Sequence, residues 1–286
     1  MSLVLHQPES IEEALALRSR FEDDSSFLAG GVAFSVLWHA GLIPWSQAIS
    51  LGRVGELHSI RHDGDHLFLG AMVTHSRAAG SAEVRGSVPT LAEAYSSVAT
   101  VRIRNQATVG GNLAQADPAH DPPPMLMALE GEVVAVGPGG LERRIPVEDL
   151  FVDYYTTSLR PGELITGVLV PIPNPGQRSA FFKFLPRSQD DYATVTVAVS
   201  VLQQGGRIVS LRVGLGGVAP TPVRARSVEA ALVGQPPEPE VLSAASAMVD
   251  TDISPVSDAR GSAGYKSAMS RVWVERALRE VTGVSR

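Results

Sequence analysis

The chain contains no cysteine. That absence excludes disulfides, thiol nucleophiles and any iron–sulfur cluster held by this chain's own thiolates. Lysine is nearly as scarce. Of 24 basic residues only Lys183 and Lys266 are lysines, which makes each worth locating. No apolar run approaches the ~20 residues of a membrane span. The opening MSLVLHQPES has no basic segment followed by an apolar one, so no secretory leader is expected. No basic stripe stands out and the net charge is −6, which argues against nucleic acid as a partner. A cytoplasmic protein is the simplest reading.

What is present suffices for real cores: 286 residues, 44% of them apolar. That length predicts two domains. Ser10-Ile-Glu-Glu13 and Thr90-Leu-Ala-Glu93 have capping-box spacing and predict helices to about Phe21 and Val98. Short strands are predicted at Phe27–Ala29, Ala48–Leu51, His58–Arg61 and His66–Met72, the last two around an Asp63-Gly64 turn. Pro122 to Pro124 can open a helix that runs over Met125–Leu129 and stops at Gly131. Strands follow at Glu132–Val136, Leu164–Val170, Ala180–Leu185, Thr194–Leu202 and Arg207–Leu215. The remainder reads as helix: Val223–Val233, Pro239–Val249 and Ala263–Val281. Pro171-Ile-Pro-Asn-Pro-Gly176 clusters breakers without an apolar period and marks a boundary, giving domains 1–175 and 176–286. Segregated elements without regular βαβ alternation predict an α+β fold.

Several motifs fall short of a site. His58, His62 and His66 have helical ligand spacing, but Asp63-Gly64 breaks the helix they would need, so they are expected to be solvated hairpin residues. Val213-Gly-Leu-Gly-Gly-Val-Ala219 imitates a dinucleotide fingerprint, yet Pro220 and Pro222 stand where the helix must begin. Phosphate-loop and serine-hydrolase anchors are missing. Asp117, His120 and Asp121 could touch a metal but have no fourth ligand nearby. Two loops remain. Leu28-Ala-Gly-Gly-Val-Ala-Phe-Ser35 ends a strand in paired glycines, and Thr108-Val-Gly-Gly-Asn112 repeats the device about eighty residues later. Glycine permits close approach to backbone amides, which can form an anion nest. Two such loops suit a ligand with two phosphates. Asp121, before Pro122, also reads as a helix N-cap.

"LAGG" at 28–31, "LGAMVTH" at 69–75, "IRNQATVGGNLAQADPAHD" at 103–121 and "LGGVAPTPVRARSVEAAL" at 215–232 resemble the FAD-binding subunit of molybdenum hydroxylases, the carbon monoxide dehydrogenase and xanthine dehydrogenase type. The resemblance covers essentially the whole chain. It implies a two-part FAD-binding domain of the vanillyl-alcohol-oxidase (PCMH) type, then a smaller C-terminal domain of the CO dehydrogenase flavoprotein type. It further implies that Leu28, Ala29, Gly30, Gly31, Val32, Ala33, Phe34 and Ser35 wrap the FAD pyrophosphate through backbone amides. Thr108, Val109, Gly110, Gly111 and Asn112 would do so from the other side. Asp121 matches an acid that binds the ribose. Ile165 matches an aliphatic residue whose backbone lies against the flavin, and Lys183 a lysine near the pyrimidine end that tunes it. Tyr192 matches a tyrosine that packs near the flavin in some members. In Lys183-Phe-Leu-Pro-Arg-Ser-Gln-Asp-Asp-Tyr-Ala, Arg187 and Asp190 can pair. The family usually places Ser, Thr or His after Ala-Gly-Gly; here Val32 and Ala33 stand, with Ser35 shifted.

Such a subunit takes electrons from iron–sulfur centres in a partner and passes them to an external acceptor. FAD would sit on this chain, the molybdenum cofactor and 2Fe–2S clusters on an iron–sulfur subunit and a molybdenum subunit, in a dimer of heterotrimers. The alternatives are a self-sufficient FAD-dependent oxidoreductase and a scaffold subunit that has lost FAD.

Overall fold

The computed structural model describes residues 3–185, 187–188 and 190–285. The amino-terminal part opens with a small parallel sheet. Gln47–Ser50 lies at its centre, flanked by Val4–His6 and Ser25–Leu28. Helix Ile11–Phe21 connects the first two strands in sequence. Ser10 caps it by accepting from the Glu13 amide, while the Glu13 carboxylate reaches back to the Glu9 amide, one residue earlier than the capping box requires.

A second, antiparallel sheet has five strands, in the order Ile60–Asp63, His66–Gly70, Leu164–Pro171, Glu132–Val136, Glu142–Pro146. Its middle strand is apolar almost throughout because both faces are covered. Helix Val109–Gln115 packs on it, while helices Pro89–Ser96 and Pro122–Ala128 pack on each other and reach the carboxy-terminal strands Arg178–Phe184, Val195–Gln204 and Arg207–Gly216. The expected cap at Thr90 does not form. Pro89 takes the first helical position, so Thr90 falls inside the helix and its hydroxyl meets Ser179 Oγ at 2.7 Å.

The carboxy-terminal part is a four-stranded antiparallel sheet, Arg178–Phe184, Val195–Gln204, Arg207–Gly216 and Val223–Arg224, backed by helices Arg226–Leu232, Pro239–Ala247 and Ala263–Thr282. Strand alternation divides its labour. Val195, Val197, Val199 and Val201 enter a core with those helices. Between them, Thr196 and Ala198 turn towards the amino-terminal part, whose core also takes in Phe181 and Ala198. Gly214 and Gly216 owe their identity to this contact: a Cβ on Gly214 would lie 2.3 Å from the Pro124 carbonyl oxygen. The imitation fingerprint is thus a packing surface.

The predicted strands appear with small boundary shifts. Three differences matter. Val223 and Arg224 form a strand, and the helix begins only at Arg226. Val32–His39, inside the expected first loop, is a helix. The Val109–Gln115 segment of the second loop is one also. Both were hidden by their glycines.

Candidate functional site

The first glycine pair turns a strand into a helix. After Ser25–Leu28, Gly31 adopts φ +77°, a conformation costly for residues with a Cβ, and helix Val32–His39 starts at once. The first intrahelical bond runs from the Ser35 amide to the Gly31 carbonyl. The amides of Val32, Ala33 and Phe34 are therefore free of intrahelical acceptors, as the first turn of any helix dictates. They point where the helix dipole favours an anion. Ser35 does not replace the missing hydroxyl. Its Oγ donates to the Val32 carbonyl at 2.8 Å. Phe34 stacks on Trp45 at 5.7 Å between centroids, so the helix start is braced by an aromatic pair.

The second glycine pair lies against the first. A Cβ on Gly30 would sit 1.7 Å from the Gln106 carbonyl oxygen, and one on Gly111 would sit 3.4 Å from Ala29 Cβ. Two segments distant in sequence are thus brought into contact, and only a glycine permits the approach. The second pair differs from expectation in one respect. Val109 and Gly110 donate to Val73 and Ala71 carbonyls, the Asn112 amide donates to the Thr108 carbonyl, and the Gly111 amide donates to Thr108 Oγ1. These amides already have acceptors, so they form no second nest. Gly110 and Gly111 are glycines because Ala71 Cβ and Thr108 Oγ1 lie where a Cβ would go, at 2.5 and 2.9 Å. What this segment leaves open is Asn112 Oδ1, a buried acceptor with no donor among the described residues.

Asp121 does not cap the helix that follows it; its side chain makes no capping bond. Instead its carboxylate meets Lys183 Nζ at 2.8 Å and accepts from Thr196 Oγ1 at 3.2 Å. Both members of the pair are buried, with side chains 4% and 6% exposed. Lys183 also donates to the Ser97 carbonyl at 2.9 Å. It is neither a surface lysine nor an uncompensated cation. Burial outweighs the lysine's attraction and pushes the Asp121 carboxyl up to about 6. Ile165 is buried in the central strand at a bulge between Ile165 and Gly167, and that strand packs on helix Val109–Gln115. Tyr192 is half-exposed and stacks on His120, whose Nδ1 lies 3.1 Å from the Asn112 carbonyl. Arg187 pairs with Asp191 at 3.7 Å, and among the described residues no pairing with Asp190 occurs. Pro186 and Gln189 of that segment lie outside the described residues.

Three further features escaped sequence reading. His75 is 1% exposed with neither ring nitrogen bonded among the described residues, and it packs on Tyr95. Burial holds its imidazole down to about 3. Arg104 clamps the Val98 and Ala99 carbonyls, holding Ala99 at φ +39° beside the Ser97 carbonyl that Lys183 uses. Finally, Ala116 and Tyr155 both have positive φ, 51° and 53°, and are joined by the Tyr155 N–H to Ala116 O bond. Non-glycine residues in this region are strained and gather at functional sites. Only the "VTH" and "IRN" letters around them carried a signal.

Only His62 and His66 sit on the first hairpin; His58, expected there too, ends a short 3-10 helix before it, because the strand begins only at Ile60. His58 faces the Gly52 carbonyl, His62 faces Ser87 and His66 pairs with Asp65. No group of three or more candidate metal ligands occurs among the described residues, and no helix among them is long and apolar enough to cross a membrane.

The residues fit FAD on structural grounds: uncommitted helix-start amides for a pyrophosphate, glycines that let two loops meet beside them, and a buried acceptor lacking a donor. Comparison with known proteins agrees. Residues 1–173 match the FAD binding domain in molybdopterin dehydrogenase, and residues 180–281 the CO dehydrogenase flavoprotein C-terminal domain. The chain is 34% identical to the carbon monoxide dehydrogenase medium chain of Afipia carboxidovorans, covering 96% of this chain and 94% of that one. It is 35% identical to the nicotine 6-hydroxylase medium subunit of Paenarthrobacter nicotinovorans, covering 96% and 95%. A chain of the carbon monoxide dehydrogenase from Hydrogenophaga pseudoflava, in a form lacking the Mo-pyranopterin moiety of the molybdenum cofactor, superposes with a TM-score of 0.95 at 34% identity over 99% of this chain and 98% of that one. The chain belongs to the FAD-binding medium subunits of the molybdopterin dehydrogenase family.

Proposed function

We propose that this chain is the electron outlet of a molybdenum hydroxylase: FAD on this chain receives electrons from iron–sulfur clusters of a partner and delivers them to an external acceptor. The observation that carries the reading is the meeting of Ala29–Gly31 with Gln106–Gly111 beside three uncommitted helix-start amides. The FAD supplies the redox chemistry; the protein supplies binding and electrostatics.

In this reading the Val32, Ala33 and Phe34 amides hold the pyrophosphate, and Leu28 to Gly31 shape the turn. Thr108 caps and fixes the second segment, and Asn112 Oδ1 accepts from a cofactor hydroxyl. Asp121 faces the ribose with its carboxylate oriented by Lys183 and Thr196. Ile165 offers backbone to the flavin, and Tyr192 closes one side. An ammonium has three protons, and Lys183 commits two, to Asp121 and Ser97. The third is available to the electron-rich edge of the reduced flavin, where a cation stabilises developing charge.

The partner follows from composition. Without cysteine the chain holds no thiolate-ligated cluster, so electrons cross an interface. The arrangement put forward is a cytoplasmic dimer of heterotrimers with an iron–sulfur and a molybdenum subunit, with this chain's functional division at residues 175/176. The test is purification from cells that express the neighbouring genes. Flavin absorbance, clusters and molybdenum should travel together. Acid precipitation should leave all the flavin in the supernatant. The lone chain should be reduced by dithionite yet fail to oxidise the complex's organic substrate. A colourless chain that takes up no FAD, or a lone chain with enzyme-like turnover, would overturn the proposal.

A further inference from the structure

Arg104 ends the short helix Val101–Arg104 and turns back on the chain that precedes it. Its Nη1 donates to the Val98 carbonyl at 2.8 Å and also to the Ala99 carbonyl. That nitrogen carries two protons, so both carbonyls are served at once. Among the described residues these carbonyls are the only hydrogen-bond partners of its side chain. A guanidinium is a rigid fork suited to carboxylates and phosphates. Committed to two successive backbone carbonyls, it fixes the shape of a turn.

That turn has an uncommon shape. Helix Pro89–Ser96 ends at Ser97, whose backbone is still helical at φ −80°, ψ −11°. The Ser97 hydroxyl donates to the Ala94 carbonyl at 2.8 Å. Ala99 then takes φ +39°, a conformation that a Cβ disfavours. Thr100 caps the next helix by accepting from the Ile103 amide. The chain thus passes from one helix to the next within four residues. In this arrangement the Ser97 carbonyl faces strand Arg178–Phe184, where Lys183 Nζ donates to it at 2.9 Å. The other fixed partner of Lys183 is Asp121, at 2.8 Å. Two fixed acceptors hold an ammonium in one place. With one of them lost, its flexible four-carbon stem is free to rotate.

Resting on the flavin reading, we propose that Arg104 is a positioning residue for the flavin's redox chemistry. By holding Ala99 in its left-handed conformation it aims the Ser97 carbonyl at Lys183. That contact in turn aims the third ammonium proton at the reduced flavin. Arg104 acts through the turn and not on the cofactor, so its effect is transmitted only when Lys183 is present. It also becomes dispensable when residue 99 adopts positive φ unaided.

The test uses the full chain loaded with FAD, its loading read from the flavin spectrum and its potential from equilibration with redox dyes. At a fixed potential, Arg104→Met should lower the ratio of reduced to oxidised flavin about tenfold, the loss of one charged hydrogen bond. For a two-electron couple that is about 30 mV. Adding Ala99→Gly should restore most of the ratio, because glycine takes positive φ without a clamp. In a Lys183→Met background, Arg104→Met should change nothing further. A second readout needs no cofactor. Lysine labelled with nitrogen-15 gives two ammonium signals, from Lys183 and Lys266. Arg104→Met should speed proton exchange at Lys183 about tenfold, leave Lys266 unchanged, and be reversed by Ala99→Gly. Should Arg104→Met alone fold poorly, Ala99→Gly is compared with Ala99→Gly plus Arg104→Met, and their potentials should agree. An unchanged ratio in Arg104→Met, an equal fall without Lys183, or no rescue by Ala99→Gly would overturn the inference while leaving the flavin reading intact. A chain that takes no FAD would sink both.

Discussion

Lys183 Nζ sits 2.8 Å from the Asp121 carboxylate, with both side chains buried, and this pair joins the two halves of the protein. Lys183 is on the first strand of the carboxy-terminal sheet, while Asp121 opens the helix Pro122–Ala128 of the amino-terminal part. Thr196 adds a second bond across the same seam, and Lys183 to Ser97 a third. Further from the site, Arg212 to Glu130 and Arg224 to Glu148 repeat the theme.

A buried pair is weak evidence for net stability, but losing one partner is expensive because the other is left charged and unpaired. Lys183→Met should therefore cost about 3–5 kcal/mol by urea denaturation. The double variant Lys183→Met with Asp121→Asn should recover most of that. In FAD-loaded protein that still folds, Lys183→Met should also lower the flavin potential. The drop should be smaller than for an unpaired lysine, since Asp121 already offsets part of the charge. An unchanged potential would remove Lys183 from the flavin's surroundings.

The pH dependence at Asp121 has a definite sign. Its folded pKa of about 6 lies above the ordinary 3.8, so the folded state holds the proton more tightly than the unfolded state. Stability from this group is fully present below the ordinary value and is lost as pH rises through about 6. Wild type should thus lose stability relative to Asp121→Asn between pH 4 and 6.5, with the gap constant above that. Paired chemical melts at pH 4.5 and pH 7 measure it; a gap of equal size at both would refute the assignment.

His75 works in the opposite sense. Its folded pKa is held down to about 3, against an ordinary 6.5. Its contribution is fully present above 6.5 and is lost as pH falls below that value. His75→Phe removes two unbonded buried nitrogens and keeps a ring against Tyr95. It should stabilise the protein at pH 7 by roughly 1 kcal/mol, and by more at pH 5. Thermal melts of both proteins at the two pH values decide the matter.

The glycine loops respond differently to substitution. Gly111→Val drives a side chain into Thr108 Oγ1, 2.9 Å from the Cβ position, and breaks the cap of helix Val109–Gln115. Folding and flavin content should fall together. Gly31 has nothing within 4 Å of its Cβ position, so Gly31→Ala carries only the left-handed strain of about 1–2 kcal/mol. Circular dichroism should stay native there, while FAD binding weakens as the helix start shifts. Full FAD occupancy at limiting cofactor in Gly31→Ala would take the pyrophosphate away from this turn.

Local rules made much of the protein legible. The Ser10 cap, the Asp63-Gly64 turn and the strand observed at Val195–Gln204 all depend on neighbours close in the chain. The glycine pairs and the IRNQATVGGN stretch also identified the loops. Their reason did not show in the letters. Gly30, Gly110 and Gly111 are glycines because other backbone and side chains press against them, which only the meeting of distant segments creates. The same limit explains Asp121. Next to Pro122 it looks like a cap, but a lysine 62 residues onward in the sequence offers a buried charge a better partner than a backbone amide, because opposite charges attract more strongly where water is excluded. Sequence determined which residues could bend, cap or ionise. Tertiary structure decided which of them face each other, because burial and charge pairing depend on distance in space, and the seam between the two halves brings together residues that no local pattern connects.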